Sequence, residues 1–181
     1  MSMLLSPFVM VKQNHIVIIE RLGRYAKSME PGLNFKIPLL DQVAYQHNLK
    51  EQVIDIEHQQ AITRDNVKIE INGVLYYKIV DAWKASYNIA GPTSAMTMLV
   101  QTTMRSEIGR LELDRTFEER DLLNTNIKNA LQNATESWGL EVLRYEIKDI
   151  KPPAEIRRSM EFQSESERIK RSKILASEGE R

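Results

Sequence analysis

The feature that most constrains the fold is an alternation of side chains over residues 67–80. Every second residue, starting with Val67, is apolar or glycine, and the residues between them are mostly polar. A period of two over this length predicts a half-buried strand or a tightly bent strand pair, because successive strand side chains point to opposite faces. Gly73 in mid-run indicates a bulge or a close backbone approach, and Asp65 with Asn66 favours a turn before the strand.

Shorter segments before this strand also have the composition of β-strands. Their residues are rich in the β-branched and aromatic types that a pleated surface favours. Pro38 predicts that its segment lies at a sheet edge or ends there. The first 60 residues therefore predict a small antiparallel β unit, with strands over 15–22, 33–40, 42–49 and 52–58.

The pattern changes after residue 81, where apolar residues recur at spacings of three and four. This spacing predicts amphipathic helices, the first over Pro92–Leu113 with its proline near the start. Thr116 and Glu119 have the spacing of a capping box that opens a second helix, and Gly139 is the expected helix stop. Period two then returns over residues 142–150. The residues predicted to be buried on this strand are Leu143, Tyr145 and Ile147.

Residues 154–181 predict a helix that is nearly half charged and has few apolar residues. Such a helix cannot fold by core burial alone, so it is either a solvated rod or one member of a helical assembly. Glu167 and Arg171 have the spacing of a favourable i,i+4 pair. A frayed charged tail is the alternative. The absence of a stop signal favours a helix that continues past residue 181.

Composition excludes several classes of function. The 25 basic and 25 acidic residues balance, which disfavours nucleic acid as a partner. With no cysteine there is no thiolate metal site and no cysteine nucleophile. His15, His47 and His58 are too far apart for a local metal motif. The sequence therefore predicts no catalytic residue, no metal and no cofactor, and Glu112 with Asp114 is the acid pair that an enzyme hypothesis would have to use.

The first eleven residues are almost all apolar, but no run reaches the roughly 18 residues that a spanning helix needs. Two interpretations stay open for this segment. It is an ordinary first strand, or it is the remainder of a membrane anchor.

Several motifs, in register along residues 12–181, resemble the SPFH or band 7 domain of stomatin-like proteins. The last of them most resembles the paraslipin branch of that family. The motifs are ERLGRY at 20–25, EPGL at 30–33, IPLLD at 37–41, QTTMRSEIG at 101–109 and RYEIKDI at 144–150.

The resemblance implies an α+β fold of two small α/β subdomains with antiparallel sheets, followed by a long coiled-coil-type helix. It divides the chain into a membrane-segment remnant (1–11), a mostly β subdomain (12–60), an α/β subdomain (61–151) and the start of a charged helix (152–181). The implied function is a non-enzymatic scaffold on a bacterial or mitochondrial inner membrane, with its soluble part on one face. It forms homo-oligomeric rings or cages, organises membrane microdomains and controls membrane-bound proteases.

The resemblance also implies two sets of contact residues. Those expected at the membrane are Leu4, Leu5, Phe8, Val9, Met10, Phe35, Ile37, Leu39 and Leu40. For the last four, burial as strand core is the alternative. Those expected between copies of the chain are Ile156, Met160, Glu167, Arg171, Ile169 and Ile174. Their irregular spacing favours side-by-side packing over a strict two-stranded heptad.

Two other interpretations compete with the scaffold. One is a soluble adaptor that docks on a membrane protease, or on another membrane protein, through the charged helix. The other is an enzyme.

Overall fold

A computed structural model of the chain describes the backbone of residues 7–179 and the side chains of residues 7–174. The described part is α+β, as expected. The strands are β1 (Phe8–Val11), β2 (His15–Arg21), β3 (Arg24–Met29), β4 (Gly32–Phe35), β5 (Asp41–Asn48), β6 (Gln52–Ile62), β7 (Lys68–Ile79) and β8 (Leu140–Lys151). The helices are α1 (Ala82–Tyr87), α2 (Pro92–Ile108), α3 (Leu113–Glu118), α4 (Arg120–Thr135) and α5 (Ala154–Gly179), with a 3-10 turn at Glu136–Trp138.

The larger sheet is antiparallel, with strand order β6-β7-β8. The alternation predicted for β7 is confirmed: its apolar positions are buried and the positions between them are not. Helices α2 and α4 cover the buried face, each with a stripe of apolar residues at helical spacing. These stripes are Met96, Val100, Met104 and Ile108 on α2, and Leu123, Ile127 and Leu131 on α4. Burying one such side chain fully contributes about 1.5–3 kcal/mol, so this layer holds most of the fold's stability.

Strand β8 departs from the predicted alternation. Its pairing with β7 shifts register between Asn72 and Gly73 and again between Tyr76 and Tyr77. Each shift adds one residue to β8 and reverses which side chains face the core. The buried residues of this strand are therefore Leu140, Val142, Tyr145 and Ile150. The expectation that Leu143 is buried was wrong, and Ile147 is only partly buried.

The segment between α2 and α4 also differs from expectation. Helix α2 ends at Ile108, and a separate helix, α3, begins at Leu113, whose amide donates to Asp65 Oδ1 (3.2 Å). Thr116 does not cap α4: it is buried inside α3, and its Oγ1 donates to the Glu112 carbonyl (2.9 Å). The cause is the β6–β7 turn, whose contacts with this segment interrupt the helix.

The first subdomain has a second sheet, of order β3-β2-β5, and a separate pair of strands, β1 and β4. Its core is small, consisting of Val11, Val17, Ile19 and Met29. Ile18 is also fully buried, on the opposite face of the sheet, as alternation along β2 requires. Residue 60, the predicted boundary between the subdomains, falls inside β6, which belongs to the larger sheet.

Helix α1 joins the two subdomains through side-chain contacts with the smaller sheet. Tyr87 donates its hydroxyl proton to Glu20 Oε1 (2.8 Å), and His47 Nε2 lies 2.6 Å from Ser86 Oγ. The Tyr45 ring packs edge-on against Tyr87, with centroids 5.6 Å apart. The smaller sheet is therefore fixed to the larger subdomain by polar and aromatic contacts together.

Gly73 makes the close approach that its place in the strand predicted. A Cβ built there would collide with the Tyr145 side chain and lie 2.9 Å from the Glu146 carbonyl oxygen. The Tyr145 hydroxyl is buried and donates to Met104 Sδ at 2.8 Å. The tyrosine ring therefore fills the space that glycine leaves open.

We expect Gly73→Ala to lower the free energy of unfolding by about 1–3 kcal/mol, the usual cost of overpacking a core. Urea unfolding followed by circular dichroism measures this. Adding Tyr145→Phe removes the hydroxyl that collides first, so the double variant should lose less stability than the two single losses combined. Strictly additive losses would contradict the contact.

Candidate functional site

Strands β1 and β4 form a two-stranded sheet with an apolar outer side. Phe8 lies opposite Phe35, and Met10 lies opposite Leu33. All four side chains are more than half exposed, and Met10 is 82% exposed. The two phenylalanine rings meet edge to face, with centroids 6.0 Å apart. On the other side of β1, Val11 is buried in the core. Both sides of this small sheet are thus apolar, whereas a solvated side is normally polar.

The loop after β4 continues the exposed apolar surface with Ile37, Leu39 and Leu40. Asp41 holds this loop in shape. Its amide donates to the Ile37 carbonyl (2.9 Å), and its Oδ2 accepts from the Ile37 amide (2.9 Å). Arg21 binds the same carboxylate with both Nε and Nη2, at 2.7 and 3.3 Å. The loop is therefore pinned at its base while its leucines point outward.

Two leucines of this region have left-handed backbone conformations. Leu22 has φ 51° and Leu39 has φ 70°, and they are 81% and 87% exposed. Leu22 and Gly23, both with positive φ, form the tight turn of the β2–β3 hairpin, where Asn, Asp or Gly is the usual first residue. Because Arg21 lies opposite Asp41, Leu22 and Leu40 leave the sheet at the same end. A bulky residue in this conformation is strained, and such strain is concentrated at functional positions.

We call this surface the apolar face. It consists of Phe8, Met10, Leu22, Leu33, Phe35, Ile37, Leu39 and Leu40. The residues predicted for membrane contact that belong to it are Phe8, Met10, Phe35, Ile37, Leu39 and Leu40.

Other predicted contact residues lie elsewhere, and two members of the apolar face were missed. Val9 packs towards the core of the first subdomain, and Leu4 and Leu5 lie outside the described residues. The alternative of strand core for Phe35, Ile37, Leu39 and Leu40 was wrong, since β4 ends at Phe35 and all four side chains are exposed. Leu33 and Leu22 were missed. Leu33 could have been found because it alternates with Phe35 along the strand. Leu22 could have been found because it is an apolar residue directly before a turn glycine.

The residues of α5 that were predicted to contact other copies of the chain differ in burial. Ile156 and Met160 are partly buried and pack against the core of their own chain, and their place in a contact between copies stays a prediction. Ile169 is 50% exposed, and Ile174 is exposed as well. Phe162 is also exposed and lies seven residues before Ile169, on the same side of the helix.

The predicted pairing of Glu167 with Arg171 is not formed. Within the described side chains, no ion pair of 4.0 Å or less joins two residues of α5. The two residues stay candidates for contacts between copies.

The two acids that an enzyme hypothesis would use, Glu112 and Asp114, lie at the start of α3. Glu112 is the residue before α3, and Asp114 lies in its first turn, where negative charge is stabilised by the helix dipole. Across residues 7–174, no three His, Asp or Glu side chains are grouped to hold a metal ion. None of the described helices combines the length and apolar character needed to cross a membrane.

The family model of the SPFH domain / Band 7 family matches residues 9–181. "Stomatin-like protein 2, mitochondrial" of Homo sapiens is 50% identical over 171 residues, 94% of this chain and 48% of that protein. "Stomatin-like protein stl-1" of Caenorhabditis elegans is 47% identical over 169 residues, 93% of this chain and 52% of the worm protein. An uncharacterized protein of Archaeoglobus fulgidus is 41% identical over 177 residues, 98% of this chain and 71% of the archaeal one.

These matches define the class of protein: the chain belongs to the SPFH/band 7 family. Its identity with stomatin-like proteins confirms the predicted stomatin-like branch. The chain spans about half the length of the stomatin-like relatives that it matches.

The pKa of Asp41 depends on the contacts that hold the loop. Hydrogen bonds from Arg21 and from the Ile37 amide hold the pKa of this carboxyl below its usual value. A carboxyl with a lowered folded pKa stabilises the fold above its unfolded pKa of about 3.9. That contribution is lost as pH falls through the folded pKa.

We expect Asp41→Asn to release the loop at neutral pH, because asparagine keeps the shape but loses the charged pair with Arg21. Faster amide hydrogen exchange at residues 36–40 measures this, with Asp55→Asn as the control, since that exposed carboxylate pairs with Lys148 elsewhere (2.7 Å). In the unsubstituted protein, the Ile37 amide resonance should titrate only below about pH 4. Equal exchange in both variants would show that Asp41 does not hold the loop.

Proposed function

We propose that the chain is the membrane-facing part of a non-enzymatic scaffold that lies on an inner membrane and self-associates into rings or cages. The observation that carries the proposal is the apolar face, which exposes eight large side chains from adjacent strands and loops of the first subdomain. Soluble monomers rarely expose contiguous apolar surface on this scale, and such patches mark protein or membrane contacts.

The physical argument for a membrane is one of shape and energy. Leu22, Leu39 and Leu40 project from the same end of a small sheet, which suits shallow insertion at the headgroup boundary. Each fully buried leucine or phenylalanine contributes about 1.5–3 kcal/mol. A few inserted side chains therefore give reversible binding without a spanning helix.

Self-association strengthens such binding. Many copies in one ring bind the surface together, because each further contact becomes intramolecular once the first has formed. Helix α5 supplies the surface for the association that we propose, since Phe162 and Ile169 lie on the same side of the helix and are at least half exposed. A ring of this kind would organise lipids beneath it and hold membrane proteases at its rim.

The adaptor remains a second candidate. The exposed charges of α5 favour it, because no ion pair within the described part of the helix neutralises them. In that case the same helix would bind a membrane protease or another membrane protein instead of a copy of itself. Relatives with "mitochondrial" in their names support a mitochondrial membrane for either function. The choice of the inner membrane is part of the proposal, and a bacterial inner membrane fits the same surface.

We expect Leu39→Glu to weaken vesicle binding more than tenfold. It removes about 2 kcal/mol of apolar transfer energy and adds a charge at the membrane surface. Flotation of the protein with phosphatidylcholine vesicles at moderate salt measures the change. Removing residues 1–11 is a poorer test, because it also deletes Val11 from the core.

The matched control is Met98→Glu, since Met98 is an exposed apolar residue on α2, outside the apolar face. Unchanged flotation of both variants would reject membrane contact by the apolar face. The hypothesis would also be rejected if vesicle binding fell strongly in Met98→Glu and not in Leu39→Glu.

We expect Ile169→Lys to lower the oligomer mass measured by light scattering, because it places a charge at the centre of the proposed helix contact. Ser164→Lys is the control, since it adds the same charge on roughly the opposite side of α5. If mass is unchanged while binding of a membrane protease is lost, the adaptor is favoured over the scaffold.

A further inference from the structure

The two edge strands of the larger sheet differ in whether their outward backbone groups are hydrogen-bonded. On the β8 edge, side chains of α4 satisfy outward amides: Gln132 Oε1 accepts from the Val142 amide (2.7 Å), and Asn124 Oδ1 accepts from the Ile147 amide (3.1 Å). Such cover prevents another strand from pairing there. The opposite edge, formed by β6, lacks this cover at its end next to the β7 turn.

The hydrogen-bond pattern shows which groups of β6 point outward. The Thr63 amide donates to the Val67 carbonyl (3.0 Å), so Thr63 faces β7. Hydrogen-bonded positions alternate along an antiparallel pair, so Ala61 also faces β7, and Gln60 and Ile62 direct their N–H and C=O groups away from it. Within residues 7–179, no hydrogen bond reaches these outward groups.

One position further along, the outward edge already accepts a backbone partner. The Arg64 amide donates to the Leu111 carbonyl at 2.8 Å. The edge therefore has the geometry to pair with an extended segment. The α2–α3 connection occupies its last position and also reaches the Ile62 carbonyl oxygen, which would lie 3.6 Å from a Cβ on Gly109. The Ile62 amide and both backbone groups of Gln60 are the outward groups left open.

A groove of about 450 Å³ lies beside the open groups, lined by Gln60, Ala61, Ile62, Lys68 and Arg105. The Ile62 side chain is 56% exposed at this groove. In the described part of the chain, no carboxylate lies within 4.0 Å of the charged groups of Lys68 or Arg105. Arg105 is oriented by a hydrogen bond from Nη2 to Gln59 Oε1 (3.2 Å). The groove thus combines strand-pairing groups, an apolar contact and two unneutralised cations.

We propose that this groove binds an extended peptide segment of a partner protein that carries a carboxylate, by adding it as a strand to β6 at Gln60 and Ile62. Main-chain hydrogen bonds to a sheet edge provide affinity in this mode of recognition, and side-chain contacts provide specificity. Arg105 and Lys68 select the acidic residue, and Ile62 packs on its apolar neighbours. A lipid phosphate would need the cations alone and would leave the outward backbone groups unused. The site is separate from the apolar face and does not depend on the proposed membrane function.

The test uses the whole chain and a fluorescein-labelled peptide of sequence VTVEVTV, with its VTVQVTV counterpart, in fluorescence anisotropy at low salt. We expect the glutamate peptide to bind, and the glutamine peptide to bind at least fivefold more weakly. Arg105→Glu should weaken binding of the glutamate peptide at least tenfold. Arg158→Glu, the same charge change at an exposed position of α5, should leave binding unchanged.

Ile62→Pro tests the strand pairing itself. Proline removes only the outward amide of Ile62, which makes no bond to β7, so the fold should survive while peptide binding falls at least tenfold. If circular dichroism shows that this variant is unfolded, Gln60→Pro replaces it, since that amide also points outward.

Unchanged binding by a folded proline variant would overturn the proposal, and so would no binding of the glutamate peptide at millimolar concentration. Loss of flotation with phosphatidylserine vesicles in Arg105→Glu, with peptide binding intact, would overturn it in favour of a lipid headgroup. Leu39→Glu should leave peptide binding unchanged, which separates this result from a failure of the membrane proposal.

Discussion

Strand β7 is hydrogen-bonded on both sides, and its alternating side chains allow only one arrangement of the larger subdomain. A shift of one residue would turn Ile69, Ile71 and Leu75 to solvent and bring Lys68 and Glu70 under the helices, so the register is fixed by burial. Within the described residues, helices α2 and α4 have no other apolar surface of comparable size to cover. The bulges of β8 then adjust its length to this fixed strand.

The larger subdomain could largely be predicted from sequence because long periodic segments carry a strong local signal. The errors lie where a distant contact decides the outcome. Thr116 has the spacing of a capping residue, yet Asp65 from the β6–β7 turn binds the start of α3 instead and moves the helix boundary. The buried face of β8 was predicted correctly at Tyr145 and wrongly at Leu143, because bulges leave no mark in the sequence of a single strand.

The sequence identified most residues of the apolar face but could not show how many of them are exposed. Apolar residues from Phe8 to Leu40 were candidates for either a core or an exposed face, and sequence alone could not choose between them. The choice follows from size, because a subdomain of some 40 residues with two thin sheets has room to bury only a few side chains. The remaining apolar residues must be exposed, and the fold of the backbone groups them at one end.

The left-handed leucines have a consequence for any attempt to stabilise this protein. Leu22 and Leu39 occupy conformations in which glycine or asparagine costs less, so a screen for thermal tolerance alone should enrich those replacements. Each replacement would relieve backbone strain and also remove an exposed leucine from the apolar face. Thermal stability and binding at the proposed membrane contact would then change in opposite directions. A thermostable variant chosen without a lipid-binding assay would be more stable but would have lost part of the apolar face.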